Sequence, residues 1–117
     1  MAIESMTPEQ YRKMLAEAMS EKELQREVRK KAKEHGWHDW CWHTSLYSPA
    51  GWVDLVLIRE VNEEQARIVF AELKKERAKE PTPVQLETHR LLRMAGHKVY
   101  VWRPSNYLSG EIEEVLH

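Results

Sequence analysis

The stretch VFAELKKE, from Val69 to Glu76, constrains the fold of this chain more than any other. Side chains alternate faces along a strand, so Phe70, Glu72 and Lys74 share one face and Val69, Ala71 and Leu73 share the other. Both faces begin apolar, which predicts a strand buried on two sides. One face then carries a carboxylate and an ammonium two residues apart, where an apolar residue should follow. A buried strand has no ordinary use for such a pair, so the pair is a candidate for chemistry.

The rest of the chain supplies the neighbours of this strand. Thr7-Pro8-Glu9-Gln10 reads as a capped helix start, with the helix running to about Met19. Ser20-Glu21-Lys22-Glu23 is a second capping box, and its helix sets Leu24, Val28, Lys31, Ala32 and His35 on one stripe before Gly36 ends it. An aromatic segment predicts a strand around residues 40–45, and Ser48-Pro49-Ala50-Gly51 a turn. Strands follow at 53–59 and 67–75, joined by a polar hairpin loop at 60–66. Thr82-Pro83-Val84-Gln85 opens a third helix that Gly96 closes, residues 98–103 form a last strand, and the tail from Glu111 adds a helical turn. The order α, α, β, β, β, α, β predicts an α/β or α+β domain, a mixed sheet flanked by helices.

A hairpin symmetric about Glu63 sets Ile58 against Ile68, Val56 against Phe70 and Asp54 against Glu72. Directly opposite residues have Cβ atoms roughly 4.5–5.5 Å apart. Two carboxylates that close must share a proton, meet a cation or cost stability. A divalent cation resolves the conflict, and hard oxygen ligands suit Mg²⁺ or Mn²⁺. Lys74 lies on the same face, one pleat further on, where it could stabilise developing negative charge or orient a water. Taken alone, Glu72 and Lys74 also fit an exposed salt bridge at a strand end.

Composition narrows the function classes. The chain has 117 residues, enough for one domain, with 42% hydrophobic and 32% charged content, which suits a folded protein. No apolar run approaches the ~20 residues of a membrane span, and MAIESMTPEQ lacks the basic and apolar regions of a secretory signal. The one cysteine, Cys41, cannot form an internal disulfide and fits a cytoplasmic location, in a bacterial or phage-infected cell. At a net charge of −1, any nucleic-acid surface must be a local patch. Candidate patches are Arg26, Arg29, Lys30, Lys31 and Lys33, then Lys74, Lys75, Arg77 and Lys79, then Arg90, Arg93, Lys98 and Arg103. His35, His38, Cys41 and His43 match no zinc spacing. Ser45 and Ser48 lack a nucleophile motif, and no glycine-rich phosphate loop is present. Trp37, Trp40 and Trp42 read as core or interface packing, with base stacking or a dimer surface as the sharper alternative.

Gly51-Trp52-Val53-Asp54 followed by Glu72-Leu73-Lys74 resembles the PD-(D/E)XK nuclease motif. Within that superfamily the chain most resembles the VRR-NUC domain, a relative of archaeal Holliday-junction resolvases. The helix SEKELQREVRKKAKEHGW before the motif and PTPVQLETHRLLRMAGHKVYVW after it extend the resemblance over about residues 20–103. The proline usual before the aspartate is Val53 here. The resemblance implies a restriction-endonuclease-like core and site residues Glu21, Asp54, Glu72, Lys74 and Gln85. Asp54 and Glu72, with the Leu73 carbonyl and Glu21 assisting, would hold the metal. Gln25 is a second candidate for the helix position, and Glu23 reads better as the capping acid. Gln85 serves equally well as the capping-box partner of Thr82.

These readings converge on one nuclease domain over residues 1–117, with 1–19 a helical extension and 20–103 the catalytic core. The activity expected is metal-dependent endonucleolytic cleavage of branched DNA, with four-way junctions as the implied substrate. Two symmetric cuts imply a homodimer, for which Tyr11, Met14, Leu15 and Ala18 or the Trp37–Trp42 region offer a surface. The alternatives are a silent nuclease fold used for DNA binding or assembly, a restriction-type enzyme, and a monomeric flap or nicking nuclease.

Overall fold

A computed structural model describes residues 5–41 and 49–117. Helix α1 (Pro8–Ala18) starts as its sequence predicts: the Thr7 hydroxyl accepts from the Gln10 N–H, and the Gln10 side chain accepts from the Thr7 N–H. In α2 (Glu21–Glu34) only half of the predicted box forms. The Ser20 hydroxyl accepts from the Glu23 N–H at 3.0 Å, but the Glu23 carboxylate accepts from the Ser20 hydroxyl instead of from the Ser20 backbone N–H. Leu24, Val28 and Ala32 form the buried stripe of α2.

Strand β1 (His38–Cys41) begins two residues before the strand expected at 40–45, whose remainder lies outside the described residues together with Trp42, His43, Ser45 and Ser48. Strands β2 (Leu55–Glu60) and β3 (Ala66–Leu73) pair antiparallel in the predicted register, Ile58 with Ile68 and Val56 with Phe70. The Val61 and Asn62 N–H groups both donate to the Gln65 carbonyl and close the hairpin. Helix α3 (Pro83–Met94) then crosses over to β4 (Lys98–Trp102), which pairs parallel with β3. The four strands lie in the order β1-β2-β3-β4, a mixed sheet flanked by helices. Both strands that bear the motif are shorter than expected. β2 starts after Asp54 and β3 ends at Leu73, so Asp54 and Lys74 sit at the end of the ladder instead of inside it.

Helix α4 (Pro104–Leu108) was not expected; Pro104 at its first position and the Arg103 N–H donated to Asn106 Oδ1 at 2.7 Å explain it. Helix α5 (Glu111–Leu116) is the turn read from Glu111. The sheet is buried on both faces. Leu24, Val28, Leu55, Leu57, Val69, Ala71 and Leu73 pack with Ile112 and Leu116 on one. Val53, Val56, Phe70 and Val99 pack with Leu92 of α3 on the other. Trp37 belongs to the first core: its ring lies under Arg59 and Arg67, and its Nε1 donates to the Leu116 carbonyl at 2.8 Å. Trp40 is instead 52% exposed. Helix α1 packs on α4 and buries Ala16, leaving Tyr11, Met14 and Leu15 exposed. Among the described residues no helix is long and apolar enough to cross a membrane.

Candidate active site

The last described pair of the β2–β3 ladder is Leu55 with Ala71. One step further stand Asp54 and Glu72. The Asp54 N–H donates to the Ala71 carbonyl at 3.1 Å, and Asp54 Oδ2 accepts from the Leu73 N–H at 2.8 Å. Asp54 thus ends the ladder with its own carboxylate, which fixes that group beside β3. Gly51 sets the approach to it. At φ +79° it occupies left-handed backbone, and a Cβ there would fall 2.4 Å from Val84 Cγ1 and 2.9 Å from the Val84 carbonyl oxygen. Only glycine lets the segment that leads to Asp54 lie against the first turn of α3, next to Gln85.

Glu72 is 2% exposed, on the Phe70 face, as strand alternation requires. Its acidity is shifted far from normal: the carboxyl is pushed up to about 8 by burial, then by a hydrogen bond shared with the Asp54 carboxyl and by that group's charge. The Lys74 ammonium opposes the shift and Glu21 adds to it. The conflict expected between two facing carboxylates is therefore present, and the raised Glu72 pKa is its sign. Glu21, at the start of α2, is raised by its own partial burial and by Asp54, and lowered by Lys74 and Lys75.

Gln85 answers the question of cap or site with both. Its Oε1 accepts from the Thr82 N–H at 2.9 Å, which completes the capping box, and from Lys74 Nζ at 3.2 Å. Its Nε2 donates to Glu72 Oε2 at 3.1 Å. The amide oxygen has two lone pairs, one for the cap and one for Lys74, and the nitrogen is left for Glu72, so the two roles do not compete for the side chain. One turn further along α3, His89 was not singled out from the sequence. It is 1% exposed, with Nε2 3.4 Å from Glu72 Oε1. Burial lowers its pKa, and Arg93 and Lys74 lower it further. Its four-residue spacing from Gln85 was the available signal, because residues i and i+4 share a helix face.

Arg103 also differs from its reading as a phosphate contact. Its guanidinium is occupied by carbonyl groups of the segment after β3, Lys75 at 2.7 Å and Ala78 at 2.9 Å, which steadies the connection from Lys74 to α3. Arg29 is paired with Asp39, Lys31 with Glu34 and Glu113, Arg77 with Glu17 and Arg90 with Glu87. Among the described residues Lys22, Arg26, Lys30 and Lys33 of α2 make no ion pair. They are exposed at spacings of four, four and three, one face of the helix.

Asp54, Glu72, Lys74 and Gln85 therefore come together, with Glu21 close enough to feel Asp54. No group of three or more His, Cys, Asp or Glu among the described residues is placed to hold an ion. The donor set is two carboxylates, which suits a cation such as Mg²⁺ that keeps several waters and completes its shell from substrate phosphate. No protein-family model and no curated protein matches the chain. A solved structure described as a VRR_NUC domain is similar to it, at 25% sequence identity over 82% of this chain and 97% of that one, with a TM-score of 0.65.

Proposed function

This chain has the fold of a VRR-NUC domain nuclease, and on that premise we propose that it is a metal-dependent endonuclease hydrolysing phosphodiester bonds in branched DNA. The observation that carries the reading is the juxtaposition of Asp54 and Glu72, where burial and the Asp54 carboxyl raise the Glu72 pKa while Lys74 and Gln85 stand beside them. A core without a cation to bind gains nothing from a buried acid set beside a half-buried one.

A bound Mg²⁺ or Mn²⁺ would supply charge neutralisation and a water of lowered pKa. Asp54 and Glu72 would hold it, with the Leu73 carbonyl as a further oxygen. Glu21, whose carboxyl feels the Asp54 charge, would assist them. Gln85 Oε1 aims the Lys74 ammonium, which stabilises the negative charge that builds on the phosphate oxygens as the water oxygen bonds to phosphorus and a bridging P–O bond breaks. Phosphates of the duplex arms would meet the unpaired stripe of α2, Lys22, Arg26, Lys30 and Lys33, with Lys75 nearer the site.

Four-way junctions are the proposed substrate because the motif residues resemble those of Holliday-junction resolvases. Two symmetric cuts need two sites on a two-fold axis, so the proposed assembly is a homodimer, working in the cytoplasm. The exposed Tyr11, Met14 and Leu15 of α1 and the exposed Trp40 support an interface of more than roughly 1,000 Å². The test is cleavage of four-way, flap, nicked and linear DNA with Mg²⁺, Mn²⁺ or EDTA, on samples sized by light scattering. Junctions should be cut in pairs by a dimer, and only with metal. Cleavage in EDTA would defeat the metal, and junction cutting at a mass of 13.9 kDa would defeat the dimer.

A further inference from the structure

His89 is a buried polar side chain that the chemistry above leaves without a task. With Glu72 it makes up the buried polar and charged residues among those described. Its Nε2 faces Glu72 Oε1 at 3.4 Å, and its Nδ1 has no hydrogen-bond partner among the described residues. A neutral imidazole carries one N–H and one bare nitrogen. With the proton on Nδ1, a donor would be buried without an acceptor, and once a cation holds Glu72 ionised the bare Nε2 would face a carboxylate oxygen lone pair to lone pair. With the proton on Nε2, the donor meets the carboxylate, and only an acceptor is left unpaired. A doubly protonated ring would again bury an unpartnered N–H, and with it a charge.

Gln85 Nε2 already donates to the other oxygen, Oε2, at 3.1 Å. Glu72 is thus addressed on both oxygens by residues one turn apart on α3. We propose that His89 is a positioning residue: as the Nε2–H tautomer it holds Glu72 Oε1 while Gln85 holds Oε2, so that the ionised carboxylate keeps its remaining lone pairs toward Asp54 and a divalent cation. This rests on the metal-nuclease reading. The 3.4 Å separation is long for an N–H···O bond and should shorten when Glu72 carries its full charge.

His89→Leu keeps a side chain of similar size and removes the donor, whereas His89→Gln places an amide nitrogen where Nε2 stood. Calorimetric titration of the apo proteins with Mn²⁺ and steady-state cleavage of a four-way junction separate the roles. His89→Leu should weaken Mn²⁺ binding by about 10–100-fold and lower kcat at fixed metal, with KM for the junction unchanged. His89→Gln should recover most of the metal affinity. A folded His89→Leu that binds Mn²⁺ like wild type overturns the proposal, and so does a loss that His89→Gln fails to repair, since packing alone would explain it. Should His89→Leu not fold, the ¹⁵N spectrum of the wild-type ring in the Mg²⁺-loaded protein decides: a proton on Nε2 and a bare Nδ1 support the proposal, and a proton on Nδ1 overturns it. Wild-type protein that fails to bind Mn²⁺ defeats the metal-nuclease reading and this inference together. Wild type that binds while His89→Leu is unchanged defeats the inference alone.

Discussion

The two faces of strand β3 are built from alternate residues of one octapeptide, yet they do different work. Toward α2 and α5 the strand presents Val69, Ala71 and Leu73, which join a core of aliphatic and aromatic side chains. Toward α3 it presents Ile68, Phe70 and then Glu72, where the apolar cluster gives way to a carboxylate, a histidine and a glutamine. The first face gains free energy from every group it removes from water, at about 25 cal/mol per Å² of apolar area. The second sets Glu72 beside Asp54, where burial and the neighbouring carboxyl disfavour the Glu72 charge. The difference teaches that stability and chemistry are separated here by the pleat of a strand, and a substitution on one face should leave the other's property standing.

The largest expected effect breaks that separation if it fails. Asp54→Asn and Glu72→Gln should lower junction cleavage beyond about 10²–10³-fold while leaving the melting temperature of the apo protein at or above that of wild type, because each removes a repulsion. Leu57→Ala, fully buried on the apolar face, should do the reverse: about 2–5 kcal/mol of stability lost, with cleavage per folded molecule retained. Thermal melts and single-turnover cleavage on the three variants decide. Acid-site variants that unfold as readily as Leu57→Ala would show that the Asp54–Glu72 contact is part of the core.

Lys74 sharpens the comparison within the polar face. An ammonium is not a metal ligand, so Lys74→Ala should cost about 10²–10³-fold in cleavage while Mn²⁺ affinity, read by calorimetry, stays near wild type. A loss of metal binding as large as that of Asp54→Asn would move Lys74 from the reacting phosphate to the upkeep of the carboxylates.

The elements that a local pattern could identify were legible in the sequence. The hairpin register followed from apolar matching, and the Asp54–Glu72 pair followed from the register. The chemistry of Gln85 was half legible, because Thr82 three residues earlier explained the same residue as a cap. What decided it is a third partner, Lys74, which only tertiary structure brings within 3.2 Å of the amide oxygen. His89 was hidden for a related reason: a histidine on a helix face is common, and its value here comes from one carboxylate opposite it. Helix α4 was missed because Pro104 follows a strand, where proline also reads as a stop. The basic residues could be counted but not assigned, since Arg103 turned to backbone carbonyls and Arg29 to Asp39.

A smaller effect follows from protons. In the fold Glu72 stays protonated up to about 8, whereas in the unfolded chain it ionises near 4.5. Between those values the unfolded state binds fewer protons, so apo stability should fall as pH rises, by on the order of a few kcal/mol across the window. Below the lower value the group contributes no pH dependence. Glu72→Gln should flatten the slope, and Mg²⁺ should raise the melting temperature more at pH 9 than at pH 6, because at the higher pH no proton need leave. Melts at several pH values, with and without Mg²⁺, measure both. A wild-type slope that is flat between pH 5 and pH 8 would remove the raised Glu72 pKa from the account of the polar face.

The smallest effect tests whether the apolar face is as silent as the comparison says. Helix α2 covers that face with Leu24, Val28 and Ala32, yet it starts at Glu21 beside the site and turns Lys22, Arg26, Lys30 and Lys33 outward without ion pairs among the described residues. The apolar side of α2 would then support the fold, and its outer side would hold DNA. Each phosphate contact contributes about −0.9 to the slope of log K against log[salt] on duplex DNA. Arg26→Ala with Lys30→Ala should therefore make the slope for a four-way junction shallower by up to about 2, with little change in the cleavage rate of bound substrate. Lys31→Ala is the control on the same helix, because Lys31 already pairs with Glu34 at 3.5 Å and Glu113 at 3.7 Å and should alter the slope less. Binding measured from low to moderate salt separates the cases. An equal change for Lys31 and for the exposed pair would mean that the field of the whole helix, not a stripe of contacts, draws the DNA in. An unchanged slope in both would place the DNA on the α3 side, and the face opposite the site would then be scaffold alone.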